Sequence, residues 1–291
     1  MKQGVILINA YTNGESELNQ PKRLKEEFEA RGVRIEVKRN FFTAGVRENE
    51  AAGFLSADFC VYLDKDKYAG ELLEKAGLRL FNSPRAVAVC DDKMTTCIAL
   101  AGSGIPVPET YAAPLCYSES APANAEFLRA VGERLGYPLV VKESYGSLGK
   151  GVYKADDFES LCEVEKKLQM KPHLFQKFVS SSAGRDLRVI VIGGVVFAAM
   201  RRTSAGDFRS NLELGGRGEP LSPDARAAAL CESVARRLGL DYCGVDLLFA
   251  EDGYTVCEVN SNAFFGGMER ITGKNVAGAY AEYIIREVYG V

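Results

Sequence analysis

The chain has 291 residues, too many for one small core, and its 47% hydrophobic and 26% charged composition is that of a soluble globular protein. A net charge of -3 and a pI near 5.6 argue against a nucleic-acid binder that works by bulk charge. No apolar run approaches the ~20 residues that a membrane span needs. Residues 4–10 read as an apolar first strand; the opening segment has one lysine and too short an apolar run for a signal peptide, so the expected location is the cytoplasm. A helix is expected at 21–31, with Pro21 early and Gly32 at its end. Residues 33–38 alternate like a strand, and strands at 58–63 and 78–81 flank a helix at 68–76. This alternation predicts a small parallel α/β unit over about residues 1–85.

Ser83-Pro84 starts a helix that runs toward Lys93 and an alanine-rich stretch ending at Gly102. A proline-punctuated link at 104–108 leads to a helix at 123–135 and a strand at 138–143. A glycine-rich loop precedes a strand at 151–154, and Asp156 or Asp157 caps a helix to about Met170. Residues 174–179 are strand-like, and 187–200 form a hairpin turning at Gly193-Gly194. A helix at 223–238, a strand pair at 241–250 and 254–260, and a helix at 275–288 complete the pattern.

The eight cysteines are scattered, with no C-x-x-C pair, and read as buried reduced thiols. The one histidine, His173, follows Pro172 and reads as a loop residue, too little for a catalytic triad or a histidine metal site.

The stretch VVKESYGSLGKGVYKADD, 140–157, places Lys142 ahead of Gly146, Ser147, Gly149, Lys150 and Gly151. Loops of this kind hold phosphates on backbone N–H groups. It is not a Walker A loop, because Gly151 follows Gly149-Lys150 and Ser144 stands where the first glycine belongs. It is not a dinucleotide fingerprint either, since its glycines run G-x-x-G-x-G between two strands. Kinase-like fragments at 184–187 and 206–209 lack the histidine of H-R-D and the glycine of D-F-G, and Val191 replaces the metal-binding asparagine. On its own the loop is either a phosphate flap or a glycine-rich surface hairpin.

The stretch CGVDLLFAEDGYTVCEVNSN, 243–262, is more decisive. With 251–253 as a three-residue hairpin loop and Gly253 left-handed, Asp246 falls opposite Glu258. Alternation sends Val245, Leu247, Phe249, Thr255, Cys257 and Val259 toward a core and Asp246, Glu258 and Asn260 to the other face. Directly opposed carboxylates lie roughly 5 Å apart at Cβ and repel. A hard divalent cation removes that penalty, whereas the plainer reading is two solvated acids on an open sheet face.

Flap, strand lysine and acidic platform, in this order, resemble the ATP-grasp superfamily and, within it, the RimK-like α-L-glutamate ligase family. The segments NSPRAVAVCDDKMTT, PLVVKESYGSLGKGV, LFQKFVSSSAGRDLRV, GDFRSNLELGG and the hairpin carry the resemblance along nearly the whole chain. It implies an α/β and α+β architecture: an N-terminal pre-ATP-grasp domain at 1–90, an ATP-grasp subdomain with the flap at 91–179, and a C-terminal subdomain with the metal site at 180–291. It further implies that Lys93 and Lys142 meet the ATP phosphates, with an exposed helix charge as the plain role of Lys93. Gly146, Ser147, Gly149 and Gly151 would form the flap, and Gln176, Lys177, Phe178 and Val179 would read adenine, Lys177 standing where family members have Glu. Asp186 would lie on the ribose side. Arg209 and Asn211 would lie near the triphosphate, Arg209 as the catalytic cation or as half of a surface salt bridge. Asp246, Glu258 and Asn260 would hold Mg²⁺, with Mn²⁺ as its substitute.

The implied activity is an ATP-dependent carboxylate–amine ligase working through an acyl phosphate. It would add an amino acid such as L-glutamate to a carboxylate acceptor: a small molecule, a peptide or a protein C-terminus. A dipeptide ligase of the D-alanine–D-alanine type and a non-catalytic ATP-binding sensor are the alternatives. Family habit implies a homo-oligomer, with no nucleic-acid or membrane partner. Asn262-Ala263 replaces the common Ser-Pro of the acceptor loop, and Arg201, Arg202 and Arg217 are either ligands for an acidic substrate or solvated charges.

Overall fold

The computed structural model describes residues 2–41, 54 and 56–291. The chain first builds a four-stranded parallel sheet from β1 (Gln3–Ile8), β2 (Arg34–Arg39), β3 (Phe59–Leu63) and β4 (Leu80–Phe81), in the order β2-β1-β3-β4. Helices α1 (Glu15–Ala30) and α2 (Lys67–Lys75) connect its strands. α1 begins at Glu15 rather than at Pro21, because the Glu17 carboxylate accepts the Gly14 N–H at 3.3 Å. Its first turn was hard to read because its one apolar residue, Leu18, is exposed.

A single helix was expected after Ser83, but two form: α3 (Pro84–Asp91) and α4 (Lys93–Leu100). Asp92 leaves helical geometry, and its carboxylate accepts the N–H groups of Met94 and Thr95. The break makes Lys93 the first residue of α4 and buries it, so the exposed-charge reading is corrected.

The second sheet is antiparallel and contains β5 (Thr110–Ala112), β6 (Leu139–Glu143), β7 (Val152–Ala155) and β8 (His173–Lys177), in the order β5-β8-β6-β7. α5 (Ala125–Leu135) and α6 (Phe158–Leu168) pack on it. The third sheet, also antiparallel, contains β9 (Arg185–Ile192), β10 (Val195–Thr203), β11 (Arg217–Pro220), β12 (Tyr242–Ala250) and β13 (Gly253–Asn260), in the order β11-β10-β9-β12-β13. α7 (Ala225–Leu238), α8 (Gly266–Thr272) and α9 (Val276–Tyr289) complete the chain. The short elements β5, β11 and α8 were not foreseen, being too short for periodicity to register.

The cores explain how the sheets sit. Ile6, Phe28, Phe59 and Phe81 of the first sheet and its helix share one buried cluster with Ile190, Tyr242, Tyr280 and Ile284. One face of the third sheet packs on α7 through Leu187, Val189, Val245, Val259, Cys231 and Val234. The second sheet has its own cluster, built on Leu128, Val141, Val164 and Phe175. Each fully buried side chain of this size contributes about 1.5–3 kcal/mol. The first and third sheets are thus joined by one core, and the second faces them across a cleft. All eight cysteines are free thiols; Cys60, Cys90, Cys231 and Cys243 are buried. No described helix is long and apolar enough to cross a membrane.

His173 is not a loop residue. It opens β8, 2% exposed, with Nε2 2.9 Å from a Glu165 carboxylate oxygen and Nδ1 2.8 Å from the Lys171 carbonyl. Both ring nitrogens face acceptors, an arrangement that suits the imidazolium. Burial works against the charge, but the Glu165 and Lys171 hydrogen bonds outweigh it and raise the His173 pKa. This pair stabilises the fold fully below the unfolded value of about 6.5 and is lost as pH rises through the folded value. Thermal melts of the wild type should therefore weaken above about pH 6.5. His173→Gln should lose that component, and Glu165→Gln should cost about 1–3 kcal/mol at pH 6; unchanged pH profiles in both variants would remove the pairing.

Candidate active site

The hairpin of β12 and β13 sets the site. Ala250 pairs with Gly253, so the loop has two residues, Glu251 and Asp252, rather than the three expected. That pairing alone would misalign the acids. A bulge at Cys257, between Val256 and Glu258, adds the missing residue and restores Asp246 opposite Glu258 and Gly244 opposite Asn260. The bulge also changes which side chains face inward: Val256 joins the core, and Cys257, expected there, turns into the cleft 3.5 Å from Lys142 Nζ.

Strand pairing lines charges across the third sheet. Asp246 pairs with Arg188 on β9, and Asp186 on β9 pairs with Arg202 on β10. Arg202 grips the Asp186 carboxylate with Nε at 2.7 Å and Nη2 at 2.6 Å, and its Nη2 also lies 3.0 Å from Asp246. Arg188 donates from Nη2 to Asp246 at 2.9 Å, and its Nε contacts the other Asp246 oxygen. Burial opposes the Arg202 charge, but Asp246 and Asp186 hold its guanidinium protonated. Gly244 leaves room for this arrangement: a Cβ there would lie 2.7 Å from Arg188 Nη1.

Opposite this platform stand the lysines and the loop. Lys142, on β6, is buried and pairs in register with Val152 and Leu174. Lys93 Nζ donates to the Gly146 carbonyl at 2.7 Å and lies 3.7 Å from Glu258. Burial pushes its ammonium below the ordinary lysine value, with Glu258 offsetting part of the effect. Arg209 forms the salt bridge weighed for it and also reaches the glycine loop. It pairs with Asp207 at 2.6 Å, which raises its pKa, and it donates from Nη1 to the Gly149 carbonyl at 2.8 Å. Gly149 has φ +73°, and a Cβ there would meet Leu214 at 2.9 Å and Asn211 Oδ1 at 3.1 Å.

These groups surround one cleft of about 740 Å³, open mouth included. From the lysine and flap side it is lined by Lys93, Lys142, Gly149 and Arg209. Gln176, Lys177, Phe178 and Val179 line another wall; β8 ends at Lys177, so Phe178 and Val179 lie just beyond the strand. Asp186, Asn211, Asp246 and Glu258 line the third. Gly146, Ser147, Asn211, Glu258 and Asn260 line a second, larger cavity of about 1470 Å³, open mouth included, between the first and third sheets. Gly151 (φ +69°) instead packs against Glu143.

Asp246, Glu258 and Asn260 offer only oxygen donors suited to a hard divalent cation. One observation supports the fit: Glu258 is partly open to the cavity. The Asn260 side-chain nitrogen, buried without a hydrogen-bond partner among the described residues, is a donor and calls for an acceptor; a cation would take the Asn260 side-chain oxygen. Both Asp246 oxygens already contact arginines, so a cation there would share them. Arg188 and Cys257 were not foreseen as site residues. Arg188 was legible, two residues after Asp186 on one strand and so on the same face. Cys257 was not, because the bulge that turns it has no sequence signature here.

The model of the RimK-like ATP-grasp domain matches residues 90–284. A beta-citrylglutamate synthase B from Danio rerio is 39% identical over 230 residues, 77% of this chain and 55% of that protein. A probable alpha-L-glutamate ligase from Halorhodospira halophila is 35% identical over 218 residues, 73% of this chain and 69% of that protein. The chain thus spans about half the length of the first of these relatives. Among solved structures, the ATP-grasp ligase PsnB complexed with a minimal precursor superposes with a TM-score of 0.73 at 21% identity, covering 99% of this chain and all of that one. On the extent of the domain match and of these identities, the chain belongs to the RimK-like ATP-grasp family.

Proposed function

We propose that the chain is an ATP-dependent ligase that joins a carboxylate to the amine of an amino acid such as L-glutamate, releasing ADP and phosphate. The observation that carries this reading is convergence: two buried lysines, a glycine loop and an arginine surround one cleft whose inner wall holds Asp246 and Glu258. The names of the relatives, a glutamate ligase and a citrylglutamate synthase, support the choice of reaction. We divide the chain functionally at 1–90, 91–179 and 180–291.

A carboxylate does not react with an amine near neutral pH until its oxygen is made a leaving group. In this reading the γ-phosphoryl group of ATP passes to the carboxylate oxygen, and ADP leaves. The amine then attacks the acyl phosphate carbon, loses a proton, and expels phosphate. Phosphoryl transfer needs positioning and charge stabilisation rather than a protein nucleophile, in keeping with a site whose cleft is lined by lysines, arginines and carboxylates. Lys93 and Lys142 hold the phosphates, main-chain groups of Gln176 to Val179 hold the base, and Arg209 stabilises charge on the moving phosphoryl group. The flap, tied to Lys93 and Arg209 through its own carbonyls, keeps water from the acyl phosphate. Asp246, Glu258 and Asn260 would hold Mg²⁺, which when bound neutralises phosphate charge.

Incubation with ATP, Mg²⁺ and pooled amino acids and carboxylates should release ADP in step with a new amide seen by mass spectrometry; ATP binding without turnover would sink the proposal. Glu258→Gln should melt near the wild-type temperature yet lower ADP release by at least about 10²-fold. Asp246→Asn should lose activity and also about 3–5 kcal/mol of stability, because it leaves buried arginines undercompensated. Full activity in Glu258→Gln would remove the metal assignment. Gly149→Ala should raise KM for ATP about tenfold, a change of about 1.4 kcal/mol, with little effect at saturating ATP. An unchanged KM would mean that the flap does not close on the nucleotide.

A further inference from the structure

The part of the smaller cleft that lies beside 176–179 is walled by Val140, Val152, Phe178, Val179 and Leu248. Gln176, 3% exposed, brings an amide among these apolar groups. Strand register puts its side chain on the cleft face. Gln176 pairs with Thr110 of β5 and Val140 of β6, two residues along the same face from the pair of Lys142 with Leu174.

The orientation of this amide follows from its neighbours. The Thr110 hydroxyl lies 2.7 Å from the Pro108 carbonyl, which can only accept, so the hydroxyl proton is committed there. Gln176 Nε2 lies 2.9 Å from the same hydroxyl oxygen. With its proton committed, that oxygen can only accept, and the group facing it must be the nitrogen end of the amide. The Cys97 thiol is also hydrogen-bonded to Thr110; burial raises its pKa, so it keeps its proton and donates to the second lone pair. A flipped amide would set two acceptors against each other. The Gln176 oxygen is thereby fixed as the end that faces away from Thr110. It accepts no hydrogen bond among the described residues and is not fully enclosed. It therefore opens to the cleft or to the narrow recess that shares the wall of Lys142, Gln176 and Cys257.

A buried acceptor that cannot turn into a donor discriminates between purines. A 6-amino group, as in adenine, donates to it. A 6-oxo group, as in hypoxanthine or guanine, presents a second acceptor and leaves both oxygens desolvated and unpaired. We propose that Gln176 is a specificity-determining residue whose side-chain oxygen selects a 6-aminopurine nucleotide, and that Thr110 is the positioning residue that holds the amide in that orientation. This inference rests on the ligase reading, which puts the base beside Gln176 to Val179, and adds a side-chain contact to the main-chain ones.

Calorimetry of the full chain with Mg²⁺ and either ADP or inosine diphosphate, which differ at the 6-amino edge of the base, tests this by binding alone. The wild type should bind ADP at least about tenfold more tightly than inosine diphosphate. Thr110→Val removes the hydroxyl with little change in size and frees the amide to turn. It should reduce the preference severalfold, chiefly by admitting inosine diphosphate, whereas Thr110→Ser keeps the hydroxyl and should retain the preference. Gln176→Leu should lose it. A merely structural role for Thr110 would weaken both nucleotides together and leave their ratio unmoved. Equal affinities in the wild type overturn the proposal, as does a ratio unchanged in Thr110→Val or Gln176→Leu, or one lost equally in Thr110→Ser. Binding of neither nucleotide by the wild type would sink the ligase reading and this proposal together. Turnover separates the two: ADP release with a new amide but no base preference removes this proposal and leaves the ligase standing, and the base preference without turnover does the reverse.

Discussion

Two guanidiniums and two carboxylates, Arg188, Arg202, Asp186 and Asp246, share one face of the third sheet, and the geometry of the site follows from them. Isolated, any one of these charges would cost several kcal/mol to bury. Together they are mutually compensated, and strand pairing holds them in register: Asp246 beside Arg188, Asp186 beside Arg202. The cluster fixes the inner wall of the smaller cleft and the floor of the larger cavity at once, because Arg202 lines both. Glu258, opposite Asp246 on the neighbouring strand, sits at the junction of the two spaces.

The same wall explains a division of labour among the cations. Lys93 and Lys142 are buried on the flap side and reach the cleft singly, as point charges. The arginines on the sheet are forked and paired, so they supply oriented N–H groups with little net charge.

The strongly periodic elements were legible in the sequence, and so was the order of flap, lysine and acids. The hairpin shows how a correct result can rest on a wrong detail. A three-residue loop was expected, the chain uses two residues and a bulge, and both bring Asp246 opposite Glu258. The pairing survived because the bulge adds back on β13 the residue that the shorter loop removes; the faces of Val256 and Cys257 did not survive, because the extra residue reverses alternation between the bulge and the turn. The plain role weighed for Lys93, an exposed helix charge, failed for a local reason: a single aspartate broke the helix and made the lysine a buried first residue. His173 was misjudged for a tertiary one, since its partner Glu165 comes from the helix packed behind the strand. Charge pairs between distant strands, such as Arg188 with Asp246, become visible only once the sheet order is known.

The core of the parallel sheet is closed by the last helix, α9, whose Tyr280 and Ile284 pack with Ile6, Phe28 and Phe59. During synthesis the ribosome delivers the sheet long before that helix. Until that helix emerges the early strands would present an uncovered oily surface, so the parallel sheet cannot finish packing as it is made. The second sheet, whose apolar cluster draws, among the described residues, only on those between Tyr111 and Phe175, can mature as soon as that stretch emerges. The order in which the parts harden therefore differs from the order in which they are made.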